Sequence, residues 1–146
     1  MATYSFLDVN ATLVGAGAVI DLGAGSANAE EGITISRVDD KNTMTIGADG
    51  EGMHSLHAGK AGTVTLRYLQ TSPKNAQLMA LYDAQSLSSS LWGQNVISVT
   101  NSASGDATGC RSCAFKKVPD MTYKKDGGTY EWIFDAIKID TILGTY

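Results

Sequence analysis

The feature that most constrains this chain is the alternation of apolar and polar residues with a period of two, which recurs along most of its length. Residues 63–69 show it most clearly, with Val64, Leu66 and Tyr68 on one side and polar residues between them. Successive side chains of a β-strand point to opposite faces, so this pattern predicts a strand with one buried face. The chain is therefore predicted to be mainly β.

Other segments repeat the pattern and define the predicted strands: 3–14, 18–22, 33–38, 42–46, 96–100, 110–116, 121–123 and a long final strand after 126–128. Glycines at 15–17 predict a turn that joins the first two strands into a hairpin. The polar residues Asp39, Asp40 and Lys41 predict a second hairpin, between 33–38 and 42–46.

The final strand carries its apolar residues in two phases. Trp132 and Phe134 share one face, whereas Ile137 and Ile139 have the opposite parity. A bulge or bend near residues 135–136 would bring both halves onto the core.

One helix interrupts the strands. Ser72 is a suitable N-cap and Pro73 suits the first helical position, and an apolar stripe at helical spacing follows and ends near Gln85. With 16 glycines for many turns and only two prolines, the 146 residues are predicted to form one domain, 1–146. Its expected fold is a β-sandwich or short barrel with one flanking α-helix.

Residues 47–62 break the rhythm. They contain five glycines, both histidines and few apolar residues, and a connection of this length in a compact domain is usually functional or disordered. We expect an extended loop here that is mobile in a free subunit and becomes ordered against a neighbour.

No group of residues predicts catalysis, a metal site or a cofactor site. His54 and His57 share one loop, so no base is placed beside a nucleophile, and Cys110 and Cys113 are half of a zinc site without the other half. On a strand, that cysteine spacing predicts one buried thiol and one exposed thiol. The glycines around Gly23 are not followed by the helix that a nucleotide-binding loop requires.

Charge and hydropathy exclude other classes. The net charge of −4 argues against a basic surface that grips nucleic acid. The N-terminus lacks the pattern of a secretory signal and no segment is long and apolar enough to span a membrane, so we expect a cytoplasmic protein with reduced cysteines. Acidic residues dominate the first 36 positions, whereas lysines cluster near the C-terminus, a distribution that an oligomer could match across its contacts.

Several segments resemble one family along nearly the whole chain. They are MATYSFLDV at 1–9, DKNTMTIGADG at 40–50, MHSLHAGK at 53–60, SPKNAQLM at 72–79, CRSCAFKK at 110–117 and IDTILGTY at 139–146. In these segments the chain is similar to tail tube proteins of contractile-tailed bacteriophages and prophages. The shared residues are of the packing and assembly kind, so the resemblance carries a structural role and no catalytic site.

The resemblance implies a virion protein, assembled in the host cytoplasm, whose hexameric rings stack into the inner tail tube and give DNA a conduit for ejection. Its expected partners are further copies of itself, the sheath, baseplate and terminator proteins, the tape measure protein and DNA in transit. Contacts between subunits are expected at Met53, His54, Leu56 and His57. A lumen that repels DNA phosphates is expected to use some of the acidic residues Asp8, Asp21, Glu30, Glu31 and Asp135.

Two other classes stay open at this stage. A sheath, terminator or baseplate subunit would also be small, rich in β-strands and without an active site. A ligand-binding β-barrel is the second alternative, and a pocketed monomer that stays soluble at high concentration would favour it. Contractile and flexible tails both use such tubes, so the tail type is open as well.

Overall fold

The computed structural model describes residues 2–15, 18–23 and 32–146 of the chain. Its regular elements, in chain order, are a 3-10 helix (Phe6–Asp8), β1 (Val9–Gly15), β2 (Ala18–Gly23), β3 (Ile33–Arg37), β4 (Asn42–Ile46), β5 (Gly52–Leu56), β6 (Gly62–Leu69), α1 (Lys74–Gln85), β7 (Asn95–Asn101), β8 (Asp106–Lys117) and β9 (Thr129–Ile142). The predicted fold class, mainly β with one helix, is confirmed.

Seven strands form one sheet in the order β2-β1-β7-β8-β9-β6-β3, and β4 and β5 form a separate two-stranded sheet. Neighbouring strands are antiparallel throughout. The predicted hairpin of β1 and β2 is present, with Val14 opposite Val19. The predicted helix is present and ends at Gln85 as expected, but its N-cap is Pro73 rather than Ser72, so it begins one residue later than predicted.

In the two longest strands, β8 and β9, the alternation of buried and exposed side chains shifts at positions that pair with each other. Cys110 and Cys113 are both buried although they are three residues apart, and so are their cross-strand partners Ile139 and Ala136. Ser112, between the cysteines, has a positive φ of 54°, a backbone conformation in which non-glycine residues are uncommon. The predicted bend is therefore present, a residue or two later than expected.

This bend divides the sheet into two layers. The first layer contains β3, β6, residues 129–136 of β9 and the end of β8. The second layer contains β2, β1, β7 and residues 106–113 of β8, with the end of β9 alongside. Strands that pass from one layer to the other through a bend form the corners of sandwich folds.

The core lies between the inner faces of the two layers. Leu13 and Leu22 of the second layer, together with Val64 and Leu66 of the first, belong to one buried cluster. The Tyr68 hydroxyl in β6 donates a hydrogen bond of 2.5 Å to the Leu22 carbonyl oxygen in β2, which joins the layers directly. Within the part of the chain that the structure describes, the edge strands β2 and β3 are not paired with each other, so the sheet is folded over but is not a closed barrel.

Helix α1 covers one side of this core. Leu78 and Leu81 are buried, and Asn75 accepts a hydrogen bond of 3.0 Å from the indole of Trp132. At its end, the side chains of Gln85 and Asn95 exchange two hydrogen bonds of 2.6 and 3.0 Å while both are buried. A Cβ atom on Gly15 would collide with the Asn95 amide, so packing explains this glycine.

Several expectations about strands were wrong. The strand predicted at 3–14 begins only at Val9, after the 3-10 helix. Residues 33–38 and 42–46 do not form a hairpin, because β3 pairs with β6 and β4 pairs with β5. Residues 47–62 are not a single extended loop, because they contain β5. The apolar residues of β5 are too few to show the pattern of a strand in the sequence. Residues 121–123 form no strand; they lie in the connection between β8 and β9.

Candidate assembly interface

The most exposed regular structure is the hairpin of β4 and β5, residues 42–56, which we call the arm. No residue of either strand is buried. Its large apolar side chains face solvent, with exposed fractions of 59% for Met44, 57% for Ile46, 60% for Met53 and 82% for Leu56. An apolar cluster left open in this way is typical of a protein contact.

The register of the hairpin assigns these side chains to two faces. Asn42 lies opposite Leu56, and Met44 lies opposite His54, so Leu56 and His54 share one face with Met44 and Ile46. Met53 lies opposite Thr45 on the other face. The arm therefore has one largely apolar face and one face that mixes Met53 with hydroxyl groups.

Both histidines contact β4 rather than each other. His54 Nδ1 lies 3.1 Å from the Asn42 side-chain amide, and His57 Nε2 lies 2.7 Å from the Thr43 hydroxyl. Each ring thus stabilises the pairing of the two strands. Among the described residues, no group of three or more His, Cys, Asp or Glu side chains converges as a metal site would require.

The arm leaves the sheet at the end where β3 finishes and β6 begins. Backbone hydrogen bonds hold its base, from the amide of His57 to the Lys41 carbonyl and from the amide of Val38 to the Ala61 carbonyl. Gly62 lies so close to Ser36 that a Cβ atom there would collide with the Ser36 carbonyl oxygen. The arm is therefore connected to the sheet through a tightly packed base.

An ion cluster lies beside this base. Asp140 of β9 accepts a hydrogen bond of 3.1 Å from Lys60 and a second hydrogen bond from Arg111 of β8. These two partners lower the pKa of the Asp140 carboxyl below its usual value. Arg37, the last residue of β3, donates a hydrogen bond of 2.7 Å to the Ile139 carbonyl oxygen. The cluster connects β3, β8 and β9 to the segment that follows the arm.

The described acidic residues among those expected in a lumen, Asp8, Asp21 and Asp135, lie on different parts of the subunit. Asp135 lies on the outer face of the first layer, where its neighbours across the strands are Thr63 and Ala114. Asp21 lies on the outer face of the second layer, opposite Thr12. Asp8 belongs to the 3-10 helix that precedes β1. Residues 30 and 31 lie outside the described residues.

Both cysteines are buried, so the expectation of one exposed thiol was wrong. The bend at Ser112 turns Cys110 and Cys113 to the same side, and the Cys113 thiol donates a hydrogen bond of 3.3 Å to the Cys110 carbonyl oxygen. Burial raises the pKa of Cys110 to about 11 and, with the neighbouring thiol, that of Cys113 to about 12. Thiols that remain protonated near neutral pH are poor nucleophiles and poor metal ligands.

A wide cleft opens between the layers beside β3. Its walls include Ile33 and Ile35 from the first layer and Val99 from the second. The one carboxylate in its lining, Asp106, accepts a hydrogen bond of 2.8 Å from the Gly144 amide. Its other polar side chains are those of Tyr4, Thr100, Asn101 and Thr108, and Asn101 and Thr108 donate hydrogen bonds to the hydroxyl groups of Tyr146 and Thr141. Among the described residues there is also no helix long and apolar enough to cross a membrane.

Two functional features could not be recognised in the sequence. The ion cluster joins residues 60, 111 and 140, which no local spacing relates. The free sides of β2 and β3 depend on strand order, since each is an edge strand with no neighbour on one side among the described residues. A partial signal existed for the arm, because residues 42–46 alternate as a strand does and Met53 and Leu56 are the large apolar residues of a glycine-rich segment.

Comparisons with known proteins agree with this architecture. A family described as "Bacteriophage PhiTE tail tube protein" matches residues 1–144. A search of curated protein sequences found no match.

Several solved structures are similar in fold. One is the sheath-tube complex of an extracellular contractile injection system, PVC, in the extended state, at 13% identity and a TM-score of 0.56, with 91% of this chain and 88% of that chain covered. The sheath/tube terminator of PVC has 15% identity and a TM-score of 0.60, with 97% and 98% covered. A chain of the anti-feeding prophage baseplate has 9% identity and a TM-score of 0.63, with 97% and 96% covered.

Proposed function

Because the chain belongs to the bacteriophage PhiTE tail tube protein family, we propose that it forms hexameric rings that stack into the inner tube of a phage tail. The chain is a structural component of the virion tail. The family match over residues 1–144 is the observation that carries the proposal. The tube would serve as the conduit through which DNA is ejected, and the subunit itself would have no enzymatic activity.

Ring closure is the proposed role of the two edge strands. β2 and β3 each have a free side among the described residues, and free strand edges in solution invite pairing with other chains. Joining the edge of one subunit to the edge of the next satisfies these backbone groups around a closed ring. The six subunits then form a continuous sheet around the lumen.

Ring stacking is the proposed role of the arm. Met53, His54, Leu56 and His57 are the proposed subunit contacts, and the solvent-exposed apolar residues of the arm support this assignment. Fixing a backbone residue costs about 1–2 kcal/mol, so an arm with few contacts to its own subunit gains order from a neighbour. Amide exchange in the arm should accordingly be fast in the free subunit and slow in tubes.

The lumen is proposed to be acidic, so that it repels DNA phosphates and lets the genome slide. Asp8, Asp21, Glu30, Glu31 and Asp135 are the candidates. Asp21 and Asp135 lie on the outer faces of opposite layers, and only one of these faces can line a given lumen. Under this proposal, one of these two aspartates lines the lumen and the other lies on the outside of the tube.

The proposed partners are the sheath around the tube, the terminator and baseplate at its ends, the tape measure protein and DNA within it. The sheath, terminator and baseplate proposals draw on the described assemblies of the PVC and anti-feeding prophage chains, to which this chain is similar in fold. Assembly is proposed to occur in the cytoplasm of the host bacterium.

Negative-stain electron microscopy and sedimentation of the purified protein test the proposal. We expect rings with six-fold symmetry and, at higher protein concentration, tubes of constant diameter. A protein that remains monomeric at every concentration and salt condition, without rings or tubes in micrographs, would refute it. Rings of another symmetry would still support a tube, but with a different number of subunits in each ring.

A further inference from the structure

The two ends of the first layer carry segments of opposite charge, an acidic turn in the arm and a lysine-rich connection. The arm leaves the layer at the end where β6 begins, whereas the connection of residues 118–128 lies at the other end, where β6 and β8 finish and β9 begins. We call the segment 116–126 the lysine loop. The arm and the lysine loop are therefore separated by the full length of β6.

The tip of the arm is acidic. Asp49 and Glu51 lie in its turn, and the described segment from 42 to 56 contains no lysine or arginine. The Asp49 carboxylate accepts a hydrogen bond of 3.1 Å from the Glu51 amide, which fixes the turn. Both residues are exposed, and neither makes an ion pair with any described residue.

The lysine loop has the complementary character. It contains Lys116, Lys117, Lys124 and Lys125 against two aspartates. Lys117 is paired with Asp120 at 3.4 Å, and within the described chain the other three lysines make no ion pair. Beside them, Met121 and Tyr123 are 51% and 81% exposed, so the loop offers apolar surface as well as positive charge.

The cations near the base of the arm are less suitable partners for the acidic tip than the lysine loop is. Lys60 and Arg111 already bind Asp140, and Arg37 donates to a backbone carbonyl. Lys41 and Lys138 are exposed and make no ion pair with a described residue. These residues also lie at the same end of the layer as the arm. A tip that projects from that end meets the opposite end of the next subunit when rings stack head to tail, because such a contact joins two different surfaces.

We propose that the acidic tip of the arm docks on the lysine loop of a second copy of this chain in the adjacent ring. This contact rests on the proposed stacking of rings and names the two surfaces that meet. Asp49 and Glu51 face lysines of the loop, and the apolar residues of the arm pack against Met121 and Tyr123. Because each contact joins an arm to a lysine loop, all rings of the tube face the same direction.

Charge exchange tests this contact. The tip variant is D49N/E51K, in which the amide introduced by D49N keeps the side-chain oxygen that the turn requires, and the loop variant is K124E/K125E. A third chain carries all four substitutions. The matched control is D83K, which reverses an exposed acidic residue of α1 away from both surfaces.

The readout is the critical concentration for tube formation, measured by sedimentation at low and moderate salt. An exposed ion pair changes an equilibrium by up to about fivefold, and reversal replaces attraction with repulsion, so we expect each double variant to raise the critical concentration by about tenfold. The four-substitution chain and a mixture of pure rings of the two variants should recover assembly. D83K should match the parent.

Normal assembly of both double variants would overturn the contact, and so would failure of the four-substitution chain to recover while its monomer is folded by circular dichroism. These outcomes leave the tube itself intact. If the parent protein forms no rings or tubes, the proposed function fails instead, so the two failures are distinguishable.

Discussion

The double substitution Met53→Ser with Leu56→Ser is predicted to weaken stacking far more than it weakens the subunit. Burying a whole Met or Leu side chain contributes about 1.5–3 kcal/mol. Because 60% of Met53 and 82% of Leu56 are still exposed, a neighbour that covers both gains about 2–4 kcal/mol per contact. Without this contribution to stacking, the critical concentration for tube formation rises about 30- to 1000-fold.

The same values per side chain give the loss of subunit stability that the double substitution causes. The fractions that are already buried correspond to about 1–2 kcal/mol, which a domain of ordinary stability tolerates. The variant is therefore expected to remain folded, with a slightly lower midpoint in denaturant. Leu87→Ser is the matched control, because Leu87 is 85% exposed in the turn after α1 and lies outside the arm.

Sedimentation across a dilution series measures the critical concentration, and urea unfolding of the dilute protein measures subunit stability. The reasoning is refuted if the double variant assembles at the parent concentration. It is also refuted if Leu87→Ser impairs assembly equally, since general surface hydrophobicity would then explain the effect. Amide exchange that already protects β5 strongly in the free subunit would contradict the predicted ordering on assembly.

Three further predictions concern the core and the lumen. Asn95→Ala should destabilise the subunit by about 1–3 kcal/mol, since it leaves the buried Gln85 amide without its partner, and urea unfolding should show a smaller loss for the pair Gln85→Met with Asn95→Leu. Both cysteines should resist iodoacetamide in the folded protein at pH 8 because their raised pKa values keep the thiols protonated, and alkylation as fast as in the urea-unfolded protein would contradict this. Of Asp21→Lys and Asp135→Lys, the one that faces the lumen should slow genome ejection in a phage infection assay while leaving tubes normal; equal effects would contradict the assignment of one face.

Periodicity predicted the strands whose two faces differ in burial, and it also predicted β4, which has no buried residue, because Met44 and Ile46 alternate with polar residues. β6 was evident because Val64, Leu66 and Tyr68 are buried while the residues between them are not. No alternation marks β5, because its two large apolar residues, Met53 and Leu56, have opposite parity. Met121 and Tyr123 have the spacing of a strand but are exposed in a connection, which shows that spacing alone does not supply a pairing partner.

Pairing is the part of the fold that local sequence does not determine. The turn at 39–41 suggested a hairpin between β3 and β4, yet β3 gains more by pairing with β6, where Ile35 lies opposite the buried Val64. The thiols were assigned to opposite faces on ideal strand geometry. The bend at Ser112 is a tertiary feature, imposed where β8 passes between layers, and it overrides that alternation.

The arrangement of the subunit has a consequence for the length of the tube. Edge-to-edge pairing within a ring closes on itself, whereas the contact between the arm and the lysine loop joins unlike surfaces and repeats without closing. Each added ring presents the same free surface as the last, so stacking by this contact contains no signal to stop. A tube of defined length therefore requires another protein that occupies one of these surfaces at the end of the tube, or that measures the tube from within. The lysine loop and the arm would be the contact surfaces for such proteins at the two ends, and the charge exchanges that block stacking should block capping at one end only.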